Sequence, residues 1–163
     1  DALNYLGGEG RVLATEEKTT QGDAIYKEYF ELISKGTPSI DITDCPDLAP
    51  ILFALAAAGQ GARFTDTKRL KIKESDRAEA MATELRKFGA TVEVLENEVL
   101  VTPTDFHTPQ EPLSGYNDHR IVMSLAVLAT LTGGVIEGAE AVAKSFPDFF
   151  ERIASLGIQL EEI

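Results

Sequence analysis

KIKESDRAEAMATELRKFGATVE, residues 71–93, decides how this chain is read. Met81, Leu85 and Phe88 recur in steps of four and three, the spacing of one helix face, and Gly89 supplies a stop signal. A helix is therefore expected over 74–88, followed by a strand at 91–95. Carried back toward its start, the apolar stripe lands on Arg77 and Glu74. Both charges are then expected on the inward face of the first turn, with Asp76 and Glu79 looking outward. The plain reading of such a string is a solvated charge run with an intrahelical pair. Its place on the apolar face argues for more, because buried charges are costly unless they are paired or face a cleft.

Outward from this helix the pattern is regular. Residues 91–95 and 99–102 read as a hairpin around Glu96-Asn97-Glu98. Upstream, 62–65 reads as a short strand. The segment 48–58 is almost wholly apolar, hence a buried helix, and Gly59 and Gly61 end it. A short strand is expected at 39–43, and a helix at 23–34 from Ile25, Tyr29, Leu32 and Ile33, with Gly36 as its stop. Residues 1–22 are rich in Gly, Glu and Thr, hold a short apolar element at 11–14, and read as a frayed or cut beginning.

Beyond Pro103, Pro109 and Pro112 the order starts again. An apolar helix follows Asn117-Asp118-His119 and ends at Gly133-Gly134. A strand at 135–137, a loop with Lys144, an amphipathic helix at 146–156, Gly157 and a strand at 158–161 come next. The two stretches form a degenerate internal repeat, with units at about 38–103 and 113–163 and a partial unit at about 1–37. Lys73 and Lys144 each sit just before the second helix of their unit, and Asp47 and His119 occupy similar offsets before Gly61 and Gly133. Repeated β-α-β-α-β units imply an α/β lobe with pseudo-symmetric packing, and residues 1–163 are taken as a single lobe.

Composition narrows the functions. With 163 residues, 44% hydrophobic and 26% charged, the chain can bury a sizeable core. Its apolar stretches at 48–58 and 121–131 are about half a membrane span, so no membrane role is expected. One cysteine, Cys45, precludes an intrachain disulfide and suits a reducing compartment. No basic-then-apolar leader opens the sequence, and a cytoplasmic setting is expected. Fifteen basic against twenty-seven acidic residues give a net charge of −12, which disfavours nucleic acid. An anionic metabolite could bind only where cations are concentrated.

Three further clusters carry chemistry. In Asn117-Asp118-His119-Arg120, Asp118 alone reads as an N-cap with His119 and Arg120 exposed in the first turn. In Lys144-Ser145-Phe146-Pro147-Asp148, Ser145 and Asp148 have the spacing of a capping box, and Lys144 taken singly reads as a surface lysine. Asp47, after Cys45-Pro46, is placed to cap the helix with Pro50 in its first turn. Cys45 reads as a small buried apolar residue, and His107 as surface. Asp44, Asp47, Asp118 and His119 match no metal-ligand spacing, so no metal is expected. The combination outweighs the parts: Arg77, Arg120 and Lys144 all stand at helix starts in matching places of a repeat, where free N–H groups and the helix dipole suit phosphate and carboxylate. Asp47, Glu74 and His119 are then available for proton transfer.

DCPDLAPILFALAA at 44–57, KIKESDR at 71–77, ELRKFGATVE at 84–93, YNDHRIVMSLAV at 116–127 and KSFPDFFERI at 144–153 resemble the 5-enolpyruvylshikimate-3-phosphate synthase family in order and spacing. The UDP-N-acetylglucosamine enolpyruvyl transferases share that fold but not the KESDR and NDHR strings. The resemblance implies repeated βαβαββ-type units of an enolpyruvyl transferase lobe, an inside-out α/β barrel. It also implies transfer of the enolpyruvyl group of phosphoenolpyruvate to the 5-hydroxyl of shikimate 3-phosphate through a tetrahedral intermediate, with release of phosphate and no cofactor. Asp47 would hold, or deprotonate, the attacking hydroxyl, and Glu74 would move protons at the methylene carbon. Lys73 would lie near the 5-hydroxyl. Arg77, Arg120 and Lys144 would grip phosphoenolpyruvate, with His119 beside them. The family has two lobes, and the other lobe's lysine, arginine and shikimate-phosphate residues are absent here. The chain is thus expected to be the C-terminal part of a monomeric two-lobed enzyme and inactive alone, the alternative being a non-catalytic anion-binding module.

Overall fold

The run of alanine and leucine at the centre of the first repeat forms α3 (Ala49–Ala58), with Pro50 in the first turn where its missing N–H is not needed. Leu52, Phe53 and Leu55 are fully buried. Each contributes about 1.5–3 kcal/mol by leaving water, so the helix is held by packing on every side. Around it the computed structural model describes residues 1–7 and 25–162. The apolar element expected at 11–14, and Asp23 at the start of the expected first helix, lie outside these residues.

Within them α1 (Ala2–Tyr5) and α2 (Tyr26–Lys35) precede β1 (Ser39–Asp41). A 3-10 turn, Pro46–Leu48, leads into α3, and β2 (Ala62–Thr65) follows. Then come a second 3-10 turn (Thr67–Ile72), α4 (Arg77–Lys87), β3 (Thr91–Val94) and β4 (Glu98–Thr102). The second stretch holds β5 (Leu113–Ser114), α5 (His119–Thr132), β6 (Ile136–Glu137), a 3-10 turn (Ala139–Lys144) and α6 (Phe149–Ser155). No helix among the described residues is long and apolar enough to cross a membrane.

Four strands form a sheet in the order β1-β2-β4-β3. β1 runs parallel to β2, Ile40 opposite Phe64, and β4 is antiparallel to both its neighbours. Ile40, Phe64, Val92, Val99 and Val101 turn inward onto the helices, while Ser39, Asp41, Arg63, Thr91 and Glu93 face water. α3 and α4 thus pack on one face of the sheet, and its other face is open to water. β5 and β6 form a second, two-stranded parallel sheet with Leu113 opposite Ile136.

Both stretches run strand, helix, parallel strand, 3-10 turn, helix. Each 3-10 turn after the parallel strand is opened by a left-handed residue, Asp66 (φ 57°) in one and Gly138 (φ 74°) in the other. The two stretches meet where α5 packs on α3 and α4. A small apolar cluster of Val122, Ala126, Ala141, Val142, Phe149 and Ile153 is separate from the main core.

Several boundaries differ from the sequence expectation. The helix expected over 74–88 begins only at Arg77, because Asp76 accepts a hydrogen bond from the Glu79 N–H and so acts as its N-cap. The helix expected from 146 begins at Phe149. Residues 158–161 form no strand: alternation makes a strand only where a ladder partner exists. Leu32 is 40% exposed, outside the buried face of α2. Gly89 closes α4 at φ 96°, and a Cβ there would lie 2.5 Å from the Asp105 carbonyl oxygen.

Candidate active site

The segment 73–76 is an irregular bend between the 3-10 turn and α4. The start of that 3-10 turn is held by Asn97 at the hairpin tip, whose Oδ1 accepts from the Lys68 N–H (3.1 Å) and whose Nδ2 donates to Asp66 Oδ1 (3.1 Å). From this bend Lys73 and Glu74 project, and Arg77 follows at the first position of α4.

Arg77 is only 1% exposed. A guanidinium so buried needs several acceptors, and it has three carboxylates. Nε donates to Asp118 (2.8 Å), Nη1 to Asp47 (2.7 Å) and Nη2 to Glu74 (2.6 Å), a planar fork used in three directions. Asp118 is fully buried and also accepts from Ser75 Oγ (3.0 Å) and from the Arg120 backbone N–H (3.0 Å). The reading of Asp118 as an N-cap holds, since that last bond caps α5, but the same carboxylate also neutralises Arg77.

Asp47 is the second hub. It lies inside the 3-10 turn Pro46–Leu48, and Leu48 stands at the N-cap position of α3. Its expected capping role is therefore not realised, and its carboxylate turns to cations instead. Oδ1 accepts from Lys73 Nζ (3.0 Å) as well as from Arg77, and Oδ2 from Arg120 Nη2 (3.2 Å). Arg120 Nη1 also donates to the Asp47 backbone carbonyl (3.2 Å). Arg120 and His119 are half-buried, where the sequence suggested exposure.

Lys144 is exposed at the end of its 3-10 turn, and its ammonium donates to the Asn117 carbonyl oxygen. It therefore reaches the Asn117–Arg120 segment from the second stretch. His119 Nδ1 is buried with no hydrogen-bond partner among the described residues. The expected capping box at Ser145 and Asp148 does not form: the Asp148 carboxylate pairs with Arg152 Nε (2.7 Å) instead.

The electrostatics follow from this wiring. Burial opposes ionisation of Asp118, but the bonds and charge of Arg77 and the caps from Arg120 and Ser75 outweigh it, so its carboxyl is held below the ordinary range. Burial likewise works against the Asp47 anion and is outweighed by Lys73, Arg120 and Arg77. Burial disfavours the Arg77 cation, yet Asp118, Asp47 and Glu74 raise its pKa further. Both aspartates are anions and the guanidinium is permanently charged. Lys73, Arg77, Arg120 and Lys144 against Asp47, Glu74 and Asp118 leave a local positive balance in a chain of net charge −12. Such a site attracts an anion and has carboxylates beside it to move protons.

Ser75 and Glu84 are polar residues that sequence reasoning did not single out, and Asp118 was read as a cap without its second role as the counter-charge of Arg77. For Asp118 a signal existed: a guanidinium placed on a buried stripe needs more counter-charge than one neighbouring glutamate can supply. Glu84 is 1% exposed on α4, and besides Lys87 one turn on, its partners are 30 and 32 residues away.

Helices packed on one face of a sheet, in two like stretches joined at a charged seam, define the class: a lobe of the enolpyruvyl transferase fold. Two solved EPSP synthase structures from Acinetobacter baumannii share it, one with a TM-score of 0.66 at 30% identity over 74% of this chain and 29% of that one. The other has a TM-score of 0.60 at 28% identity, covering 71% of this chain and 27% of that one. The family model for EPSP synthase (3-phosphoshikimate 1-carboxyvinyltransferase) matches residues 9–153, and the chain belongs to that family. The 3-phosphoshikimate 1-carboxyvinyltransferase of Halobacterium salinarum is 43% identical over 121 residues, 72% of this chain and 28% of its own length. That of Clostridium acetobutylicum is 37% identical over 165 residues, 98% of this chain and 38% of its own length. That of Natronomonas pharaonis is 41% identical over 188 residues, 98% of this chain and 42% of its own length. The chain thus spans well under half the length of the curated relatives it matches.

Proposed function

We propose that residues 1–163 form part of one lobe of a two-lobed, monomeric cytoplasmic enzyme, with repeat units at about 38–103 and 113–163 and a partial unit at about 1–37. In this reading the whole protein transfers the enolpyruvyl group of phosphoenolpyruvate to the 5-hydroxyl of shikimate 3-phosphate and releases phosphate. Membership of the EPSP synthase family supports the reaction. The observation that carries this chain's part in it is the shared network of Arg77, whose three carboxylate partners come from three separate segments.

Within that reading Arg77, Arg120 and Lys144 bind the carboxylate and phosphate of phosphoenolpyruvate, with His119 beside them. Arg77 is only 1% exposed and enclosed by its three carboxylate partners, so an anion reaches it only by displacing one of them. Glu74 is the one free to move: its side chain is 45% exposed and lies on the irregular bend, whereas Asp118 is fully buried. Displacement would release Glu74 toward the substrate as the proton carrier at the methylene carbon. Asp47, held as an anion, accepts the proton of the attacking hydroxyl, and Lys73 bridges from Asp47 to that hydroxyl. Cations already converging on the site stabilise charge that builds up in the transition state.

The test joins this chain to the other lobe and measures phosphate release from the two substrates. Glu74→Gln should lower turnover roughly 100- to 10,000-fold, the range for a lost general acid–base group, while stability changes by about 1 kcal/mol or less, because the amide oxygen still accepts from Arg77 and Asp47 and Asp118 still neutralise it. A large stability loss with turnover kept would make Glu74 a structural partner of Arg77. Phosphoenolpyruvate binding without any phosphate release would favour an anion-binding module.

A further inference from the structure

α4 carries two buried charges, Arg77 and Glu84, seven positions apart and therefore on one face, about 10.5 Å from each other along the axis. Both grip the loop that enters α5. Arg77 holds Asp118 at the end of that loop. Glu84 holds its beginning: Oε2 accepts from the Ser114 N–H (3.0 Å), and Oε1 accepts from the Tyr116 hydroxyl (3.1 Å). Lys87, one turn on, donates to Glu84 Oε2 (2.9 Å) and to the Pro112 carbonyl (2.8 Å), which completes the clamp.

Between the two grips Tyr116 and Asn117 both take left-handed backbone, φ 50° and 53°. Neither is glycine, and a non-glycine pair in this region persists only where its surroundings hold it. The consequence is directional. The turn points the Asn117 carbonyl at Lys144, delivers Asp118 to Arg77, and starts α5 so that Arg120 faces Asp47. Gly115 keeps the loop from moving the other way: its N–H donates to the Glu137 carbonyl (2.8 Å), and a Cβ there would lie 2.6 Å from Val122 Cγ2.

We infer that Glu84, outside the site, is a positioning residue that fixes the left-handed Tyr116–Asn117 turn and through it the placement of His119, Arg120 and Lys144. This rests on the enolpyruvyl transfer reading of the same site. Glu84 touches no reacting atom. Its carboxylate serves only as an acceptor, from Ser114, Lys87 and Tyr116, so a glutamine can replace its hydrogen bonds though not its charge: the amide oxygen accepts from Ser114 and Lys87, and the tyrosine hydroxyl turns to accept from the amide nitrogen.

The experiment uses the two-lobed enzyme and three variants, with kinetics measured well below the unfolding temperature. Glu84→Ala should raise KM for phosphoenolpyruvate and lower kcat, together on the order of 100-fold in kcat/KM, as displacement of a site by about an ångström does. Glu84→Gln should restore most of that. Tyr116→Phe, a substitution at the surface that removes one of the two bonds, should cost on the order of 10-fold. Hydrogen exchange at the Asp118 amide, bonded in the turn to the Gly115 carbonyl, should quicken in Glu84→Ala and not in Glu84→Gln. A Glu84→Ala enzyme with a lowered melting temperature but unchanged kcat and KM would overturn the inference and leave Glu84 as scaffold. A wild-type enzyme without phosphate release would sink the transfer reading itself, while the exchange data would still decide whether Glu84 holds the turn.

Discussion

The two βαβ stretches share an order of elements and treat charge in opposite ways. In the first, the 3-10 turn runs into a bend whose following arginine is buried at 1% exposure and ion-paired in three directions. In the second, the matching segment leaves Lys144 in the open, and Asp148 and Arg152 pair at the surface. The packing differs too. The first stretch belongs to the main core, whereas α6 rests on the small separate cluster around Phe149 and Ile153. Equivalent topology therefore fixes where a charge stands, and depth of burial decides what it does. The first stretch supplies a rigid charged platform, and the second brings α5 and Lys144 to it.

The largest test of this contrast compares two acidic residues at helix N-cap positions of the second stretch, one buried against the first stretch's arginine and one at the surface. Asp118→Ala leaves Arg77 and Ser75 without their buried acceptor and uncaps α5. The loss should be about 3–5 kcal/mol in urea unfolding, the usual result of breaking a buried ion pair from one side. Asp148→Ala removes an exposed i,i+4 pair and should cost within about 0.5 kcal/mol. Equal losses would erase the distinction between platform and periphery.

How much of this was legible follows the same line of depth. α3 and the β3–β4 hairpin were readable because an uninterrupted apolar run and an alternating pair around Asn97 leave few other solutions. The start of α4 was not, because the apolar stripe extrapolates smoothly through Asp76 while the local bond from the Glu79 N–H ends the helix there. Arg77 was correctly placed inside, and Lys73, Asp47 and Arg120 do converge on one another. The hub Asp118 stayed hidden behind its own capping role, since one carboxylate serving a cap and a guanidinium looks in sequence like the cap alone. Glu84 stayed hidden because its partners are chosen by tertiary packing.

Acidification probes the buried network between the stretches, with an effect of intermediate size. Asp47 and Asp118 have pKa values depressed in the folded chain, so their ionised forms stabilise it. That contribution is fully present above the unfolded-chain value of about 3.9 and is lost as pH falls through the depressed folded values. Stability measured by urea unfolding should therefore fall steadily below about pH 4, and in Asp118→Asn the fall should be shallower. An unchanged slope in Asp118→Asn would mean that other carboxylates carry the acid response.

The smallest expected effect is at Lys144. Its ammonium is exposed and its partner is a single carbonyl, so Lys144→Ala should shift stability by no more than about 0.5 kcal/mol, as surface changes do. Yet that carbonyl belongs to Asn117, inside the left-handed turn, and the ammonium joins Arg120 as a cation of the second stretch at the seam. Under the proposed function, its removal takes away one charge-assisted donor for a bound anion and should cost roughly 10-fold in phosphoenolpyruvate affinity. Stability and affinity should thus part company at Lys144, whereas at Asp118 they fall together. If Lys144→Ala leaves affinity untouched, the second stretch contributes α5 alone to the site, and its exposed lysine serves only to tether the turn.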